Sequence, residues 1–144
     1  MKYLKLYEQF DFDENDPFGE EMEYVKPTFL SWLKKKRPDE NTWNKITKIC
    51  CSRNHLTSLE GIENLVNLET LYCDHNQLTN LEGIELKNLV NLKNLYCYDN
   101  QLTSLEGIEN LVNLKYLYCH NNHFTIEYKN YLRDYCRRKI HLNI

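Results

Sequence analysis

The chain has 144 residues, is 42% apolar and 27% charged, and carries a net charge of −3. That length can bury a core without covalent staples, and four glycines and three prolines exclude a collagen-like or low-complexity chain. No apolar run approaches the ~20 residues that span a bilayer, and Met1–Glu8 lacks the apolar stretch of an export signal, so a cytoplasmic location with six reduced cysteines is expected. Charge is zoned: residues 1–33 are acidic, 34–48 basic, 49–124 acidic and 125–144 basic. No zone is basic enough to announce a nucleic-acid binder.

Residues 1–45 read as an acidic arm followed by a cap. Leu4, Leu6 and Phe10 suit a short element, and Asp11–Glu23 holds seven acidic side chains, the composition of a solvated arm. Asp11, Asp13 and Asn15 have the spacing that opens an EF-hand loop. Asp16 and Met22 then stand where that loop needs glycine and glutamate, so calcium is not expected. Thr28–Leu33 predicts a short helix ended by Pro38, with Lys34–Arg37 as its basic, solvated end. Trp32 and Trp43 are expected to cover the first strand.

Residues 46–124 repeat. Leu56–Leu68 and Leu102–Leu114 both read LTSLEGIENLVNL, and Leu78–Leu92 reads LTNLEGIELKNLVNL, with two extra residues. Each block runs into an L-x-x-L-x-C-x-x-N segment, and Ile46–Asn54 is a degenerate earlier copy. The asparagines fall at 54, 76, 100 and 122. Alternation puts Leu71 and Cys73 on one face of a short strand and Tyr72 and Asp74 on the other. One such strand cannot bury its apolar face alone, but four stacked in parallel bury a continuous column. The asparagines are expected to satisfy backbone groups where each strand ends. Leu59, Ile62, Leu65 and Leu68 recur every three residues, an apolar stripe on a return segment of 3₁₀ or helical turns. Gly61, Gly83 and Gly107 share one turn position. The extra residues near Leu86 and Lys87 are expected to bulge on the convex side.

This pattern resembles the leucine-rich repeat family, in the short 22-residue class seen in bacterial internalins and in the leucine-rich regulatory subunit of protein phosphatase 1. The resemblance implies an α/β solenoid with a short parallel β-sheet on its concave face, an N-terminal cap and a C-terminal helical cap. It implies protein binding without naming a partner. Near-identical tandem repeats also resemble those of large DNA viruses, and the opening Lys2–Phe10 looks similar to phage-encoded leaders. In that setting the partner would be a host factor, captured or inhibited.

Cys51, Cys73, Cys97 and Cys119 occupy the inward strand position. They form a row at strand spacing, with no C-x₂-C pair, so buried core thiols are expected in place of a tetrahedral metal site. Cys50 should point outward. The convex block is identical in two copies, whereas Glu69–Gln77 and Lys115–His123 agree only at Leu71, Tyr72, Cys73 and Asn76 and their counterparts. Divergence confined to the strand surface suits a recognition face. Tyr72, Tyr96 and Tyr118 repeat one outward position as an aromatic ridge, with Tyr98 and Tyr116 beside it. Asp74, His75, Asp99 and His120 line the strand exits as polar contacts. No catalytic motif is present and no cofactor or metal is implied. The expected activity is non-enzymatic binding of another protein through these nine residues. The alternatives are self-assembly, or a small polar or nucleotide ligand on the same face.

Residues 125–144 read as a capping helix. Thr125 is its N-cap, Glu127 lies in its first turn, and Arg137, Arg138 and Lys139 suit its C-terminal end.

Overall fold

A computed structural model describes residues 28–81, 86–137 and 140–144. The expectations for Leu4–Phe10, the acidic arm, the Asp11–Asn15 spacing, Gly83, Arg138 and Lys139 lie outside the described residues. Helix α1 (Phe29–Lys36) precedes β1 (Lys48–Cys50), β2 (Thr70–Tyr72), β3 (Asn94–Tyr96) and β4 (Tyr116–Tyr118). Helix α2 (Ile126–Cys136) and β5 (His141–Asn143) follow. All neighbouring strands pair in parallel, in the order β1-β2-β3-β4-β5.

The three-residue period builds the return side of each coil. Ile62–Asn64, Leu86–Asn88 and Ile108–Asn110 are single 3₁₀ turns. Buried Ile62, Leu65 and Leu68 stack in this way beneath their copies Ile108, Leu111 and Leu114. Leu86 does not bulge, as the sequence suggested, but fills the buried slot of Ile62 and Ile108. Leucine serves that slot as well as isoleucine, and choosing it keeps Leu86, Leu89 and Leu92 in the three-residue register. Inward strand residues Ile49, Leu71, Leu95 and Leu117 form one core column, and Leu56, Leu78, Leu102 and Phe124 another.

The asparagines stitch successive coils together. Asn76 donates to the carbonyls of Cys51 and Cys73 (3.0 Å each) and accepts from the backbone N–H of Asn54 (3.1 Å) and Leu56 (2.9 Å). One and two coils on, Asn100 and Asn122 likewise donate to the carbonyls of two successive inward cysteines and accept from the backbone N–H of Leu78 and Leu102. The residues just before them, Arg53, His75, Asp99 and Asn121, are left-handed, with φ between 52° and 60°. A second ladder runs on the convex side. Asn67 donates to Asn44 O (2.7 Å), Asn91 to Val66 O (3.2 Å) and Asn113 to Val90 O (2.7 Å).

The ends are closed differently. Thr28 and Ser31 form a reciprocal capping box at the start of α1. Phe29 N–H then donates to Ser58 O, docking α1 on the first coil. Trp43 is buried and its indole N–H donates to Arg37 O (2.8 Å). Trp32 is half-buried against the same core. At the other end Thr125 caps α2, and the Tyr128 hydroxyl accepts from Leu105 N–H (2.7 Å). The sequence predicts a capping helix over 125–144 and four strands. The helix ends at Cys136, and the alternation Ile140, Leu142, Ile144 instead forms a fifth strand, with Leu142 in register with Leu117.

Candidate functional site: the concave tyrosine face

The parallel register places Cys50, Tyr72, Tyr96, Tyr118 and Asn143 in one row. Strand separation is close to the thickness of a stacked ring pair, so the tyrosines lie face to face. Tyr72 and Tyr96 are 4.4 Å apart at 8°, and Tyr96 and Tyr118 are 4.8 Å apart at 11°. The Lys48 ammonium sits 5.1 Å over the free face of Tyr72. His141 lies 6.0 Å from Tyr118 and 5.8 Å from Tyr116, tilted to both. The ring faces are thus occupied by neighbours, and edges and hydroxyls are what the row presents. Burial, then the adjoining Tyr72 and Tyr118, pushes the Tyr96 phenol up, so it stays a neutral donor.

Beside this row the strand exits form a connected polar chain. The Ser52 hydroxyl donates to Asp74 (2.7 Å). The His75 ring spans two carboxylates, with Nδ1 2.9 Å from Asp74 and Nε2 3.2 Å from Asp99. Arg53 also reaches Nε2 (3.3 Å), so that nitrogen serves either the carboxylate, when protonated, or the guanidinium, when not. Asn121 closes the chain by donating to Asp99 (2.8 Å). Tyr98 stacks on His120 at 4.7 Å and meets His75 edge-on. Its phenol is pushed up by burial and by the Asp74 charge. His120 Nδ1 is shielded from solvent and has no hydrogen-bond partner among the described residues. Ser52 bonds to Asp74 and not to the imidazole, so this trio lacks the nucleophile–base contact of a hydrolytic triad.

Asp74 is 6% exposed. Burial alone would push its carboxyl up, but hydrogen bonds from Ser52 and His75 outweigh that and hold it below the usual 3.8. A carboxyl lowered on folding stabilises the protein above its unfolded value, and that stability is lost as pH falls through the folded value. Asp74→Asn should therefore flatten the fall in urea-unfolding free energy below about pH 4. An unchanged slope would show that the chain of contacts does not act on Asp74.

The inward row Cys51, Cys73, Cys97 and Cys119 is fully buried and free of disulfides. The Cys51 and Cys73 thiols lie 3.3 and 3.4 Å from the Tyr72 and Tyr96 carbonyls. Burial pushes Cys51 and Cys119 up to about 12 and holds Cys73 and Cys97 well above the usual thiol value. In this apolar setting the thiols are protonated core groups. No cluster of three or more metal-ligating side chains occurs among the described residues, and no described helix is long and apolar enough to cross a membrane.

All nine residues singled out in the sequence lie on the strands or at their exits, on this one face. Sequence reasoning missed Lys48, Ser52, Arg53, Asn121 and His141. The first four fall in columns already occupied by named residues in neighbouring repeats, so the column alignment itself carried the signal. His141 belongs to the unrecognised fifth strand.

Comparison with known proteins agrees with this architecture. The family described as "Leucine Rich repeats (2 copies)" matches residues 44–89 and 90–130. Among solved structures, an LRR protein of Leptospira interrogans is similar at 32% identity and TM-score 0.60, over 65% of this chain and 24% of that one. An internalin (inlF) of Listeria monocytogenes aligns at 33% identity and TM-score 0.57, over 67% and 29%. The functional domain of InlJ from Listeria monocytogenes, described as including a cysteine ladder, aligns at 35% identity and TM-score 0.54, over 60% and 18%. The chain thus spans less than a third of each of these structures. No curated protein matches it. The chain belongs to the leucine-rich-repeat family.

Proposed function

We propose that the chain is a recognition module that binds a partner protein through its tyrosine row, in the manner of a rigid surface and without chemistry. The observation that carries this is the in-register stack of Tyr72, Tyr96 and Tyr118, flanked by the exit chain from Ser52 to Asn121. Stacking fixes rotamers before binding, so little side-chain entropy is lost on contact. The exposed ring edges are the positive rim of the aromatic quadrupole, suited to carbonyl and carboxylate oxygens of a protein surface. A nucleobase needs a free ring face to stack on, and here the faces are taken. That favours a protein over a nucleotide.

The test is capture from native lysate of the cell in which the chain acts, run beside Tyr72→Ala/Tyr96→Ala. One protein retained by the natural chain and bound at least about tenfold more weakly by the double variant is the expected result. Equal affinity for both chains, with the variant shown to unfold cooperatively, would remove the tyrosine row from the reading.

A further inference from the structure

The His75 imidazole meets charged groups from its own coil and from the coils before and after it. Nδ1 lies 2.9 Å from Asp74 on its own coil. Nε2 faces two groups at nearly equal range, Asp99 of the following coil at 3.2 Å and Arg53 of the preceding coil at 3.3 Å. The other titratable groups around the ring, among the described residues, are Tyr98, edge-on at 5.4 Å, and, one contact removed, His120 behind Tyr98 and His55 on Gln77. Asp74, Asp99 and Arg53 together leave a single negative charge uncompensated, which an imidazolium would neutralise.

The neighbours of each nitrogen decide where a proton can sit. Asp74 is held ionised by its hydrogen bonds, and an ionised carboxylate only accepts, so that contact needs Nδ1–H in either charge state of the ring. Neutral His75 then carries its lone pair on Nε2, to which Arg53 can donate and Asp99 cannot. Protonated His75 carries an N–H there as well, which suits Asp99 and opposes Arg53, itself a donor and a like charge. Asn121 anchors Asp99 through its other oxygen (2.8 Å), and Asp74 anchors the ring, whereas Arg53 is exposed. The guanidinium is therefore the part free to move. We propose that His75 is a proton-operated switch between coils: when neutral it ties the Arg53 side chain to the strand exits, and when protonated it ties to Asp99 and releases Arg53. Imidazoles ordinarily gain their proton between about pH 5 and 8, so mild acidification is the trigger. The switch is a property of the free chain. Where the recognition reading above holds, and resting on it, the switch also makes the charge offered beside the tyrosine row depend on pH.

The test is NMR of the full chain with 15N- and 13C-labelled histidine and arginine, titrated from about pH 8 to about pH 5. At the upper end His75 should be the Nδ1–H tautomer, the form that a free imidazole disfavours. The Arg53 Nε and Cζ signals should move with the same midpoint as the His75 ring. His75→Asn, which keeps a residue at ease at φ 52°, should leave those signals flat. Asp99→Asn should lower the His75 midpoint and Arg53→Gln should raise it, each by about half a pH unit or more. Tyr72→Ala/Tyr96→Ala should titrate as the natural chain does, so the switch stands or falls apart from the tyrosine row. An Nε2–H tautomer, Arg53 signals that ignore the His75 titration or persist in titrating in His75→Asn, or a midpoint that either charge variant leaves in place or shifts the other way, would each overturn the assignment.

Discussion

Asn76→Ala should lower the unfolding free energy by about 3 kcal/mol or more in urea titrations, with an unchanged m-value. The asparagine is 8% exposed and satisfies four backbone groups from two coils. Alanine leaves those donors and acceptors unpaired in a dry turn, at about 1–3 kcal/mol for each group that water cannot reach. Asn122 makes three of the corresponding bonds on the last, half-buried rung, where solvent can replace them, so Asn122→Ala should cost roughly half as much. Similar losses at both positions would mean that local turn strain, and not the tie between coils, sets the cost.

Gly61→Ala should cost about 2–4 kcal/mol and Gly107→Ala only about 1 kcal/mol, although the two glycines occupy the same turn in identical sequence blocks. Both are left-handed, with φ of 99° and 86°, so both substitutions carry the same backbone strain. At Gly61 a Cβ would stand 2.8 Å from Leu30 Cβ, whereas at Gly107 the nearest atom is Leu86 Cδ1 at 3.5 Å. The difference between the two variants therefore measures how tightly α1 is seated. Leu30→Ala should not rescue Gly61→Ala, because alanine retains the clashing Cβ. Thermal unfolding of the three variants checks this, and equal costs at 61 and 107 would show that α1 shifts freely.

The repeat made most of the fold legible, because each column of the solenoid is sampled three or four times in the sequence. Strand register, buried cysteines, the asparagine ladder and the tyrosine row follow from that sampling. Features that occur once did not announce themselves. β5 has no L-x-x-L-x-C frame, only the alternation around Leu142. That Leu86 fills one buried slot follows from its spacing to Leu89, which residue type alone does not decide. The convex Asn67–Asn91–Asn113 ladder was written in the repeated V-N-L, but an exposed asparagine at a turn has several bland explanations. In the exit chain the residue types were visible and the contacts were not. The Ser52–Asp74 and Arg53–His75 pairs join residues 22 apart, across coils.

The left-handed residues at the strand exits divide the face into two alphabets. Column positions such as 72, 96 and 118 sit in extended backbone and tolerate any side chain that stacks. Positions 53, 75, 99 and 121 hold φ near 55°, where asparagine, aspartate, histidine and glycine are at ease and β-branched residues are not. Three of the four comply, and Arg53 is the exception. A library built on this scaffold should therefore randomise the strand rows freely but draw the exit rows from that short set. The scaffold can exchange shape and hydrophobicity along its strands, and mainly polar chemistry at their ends.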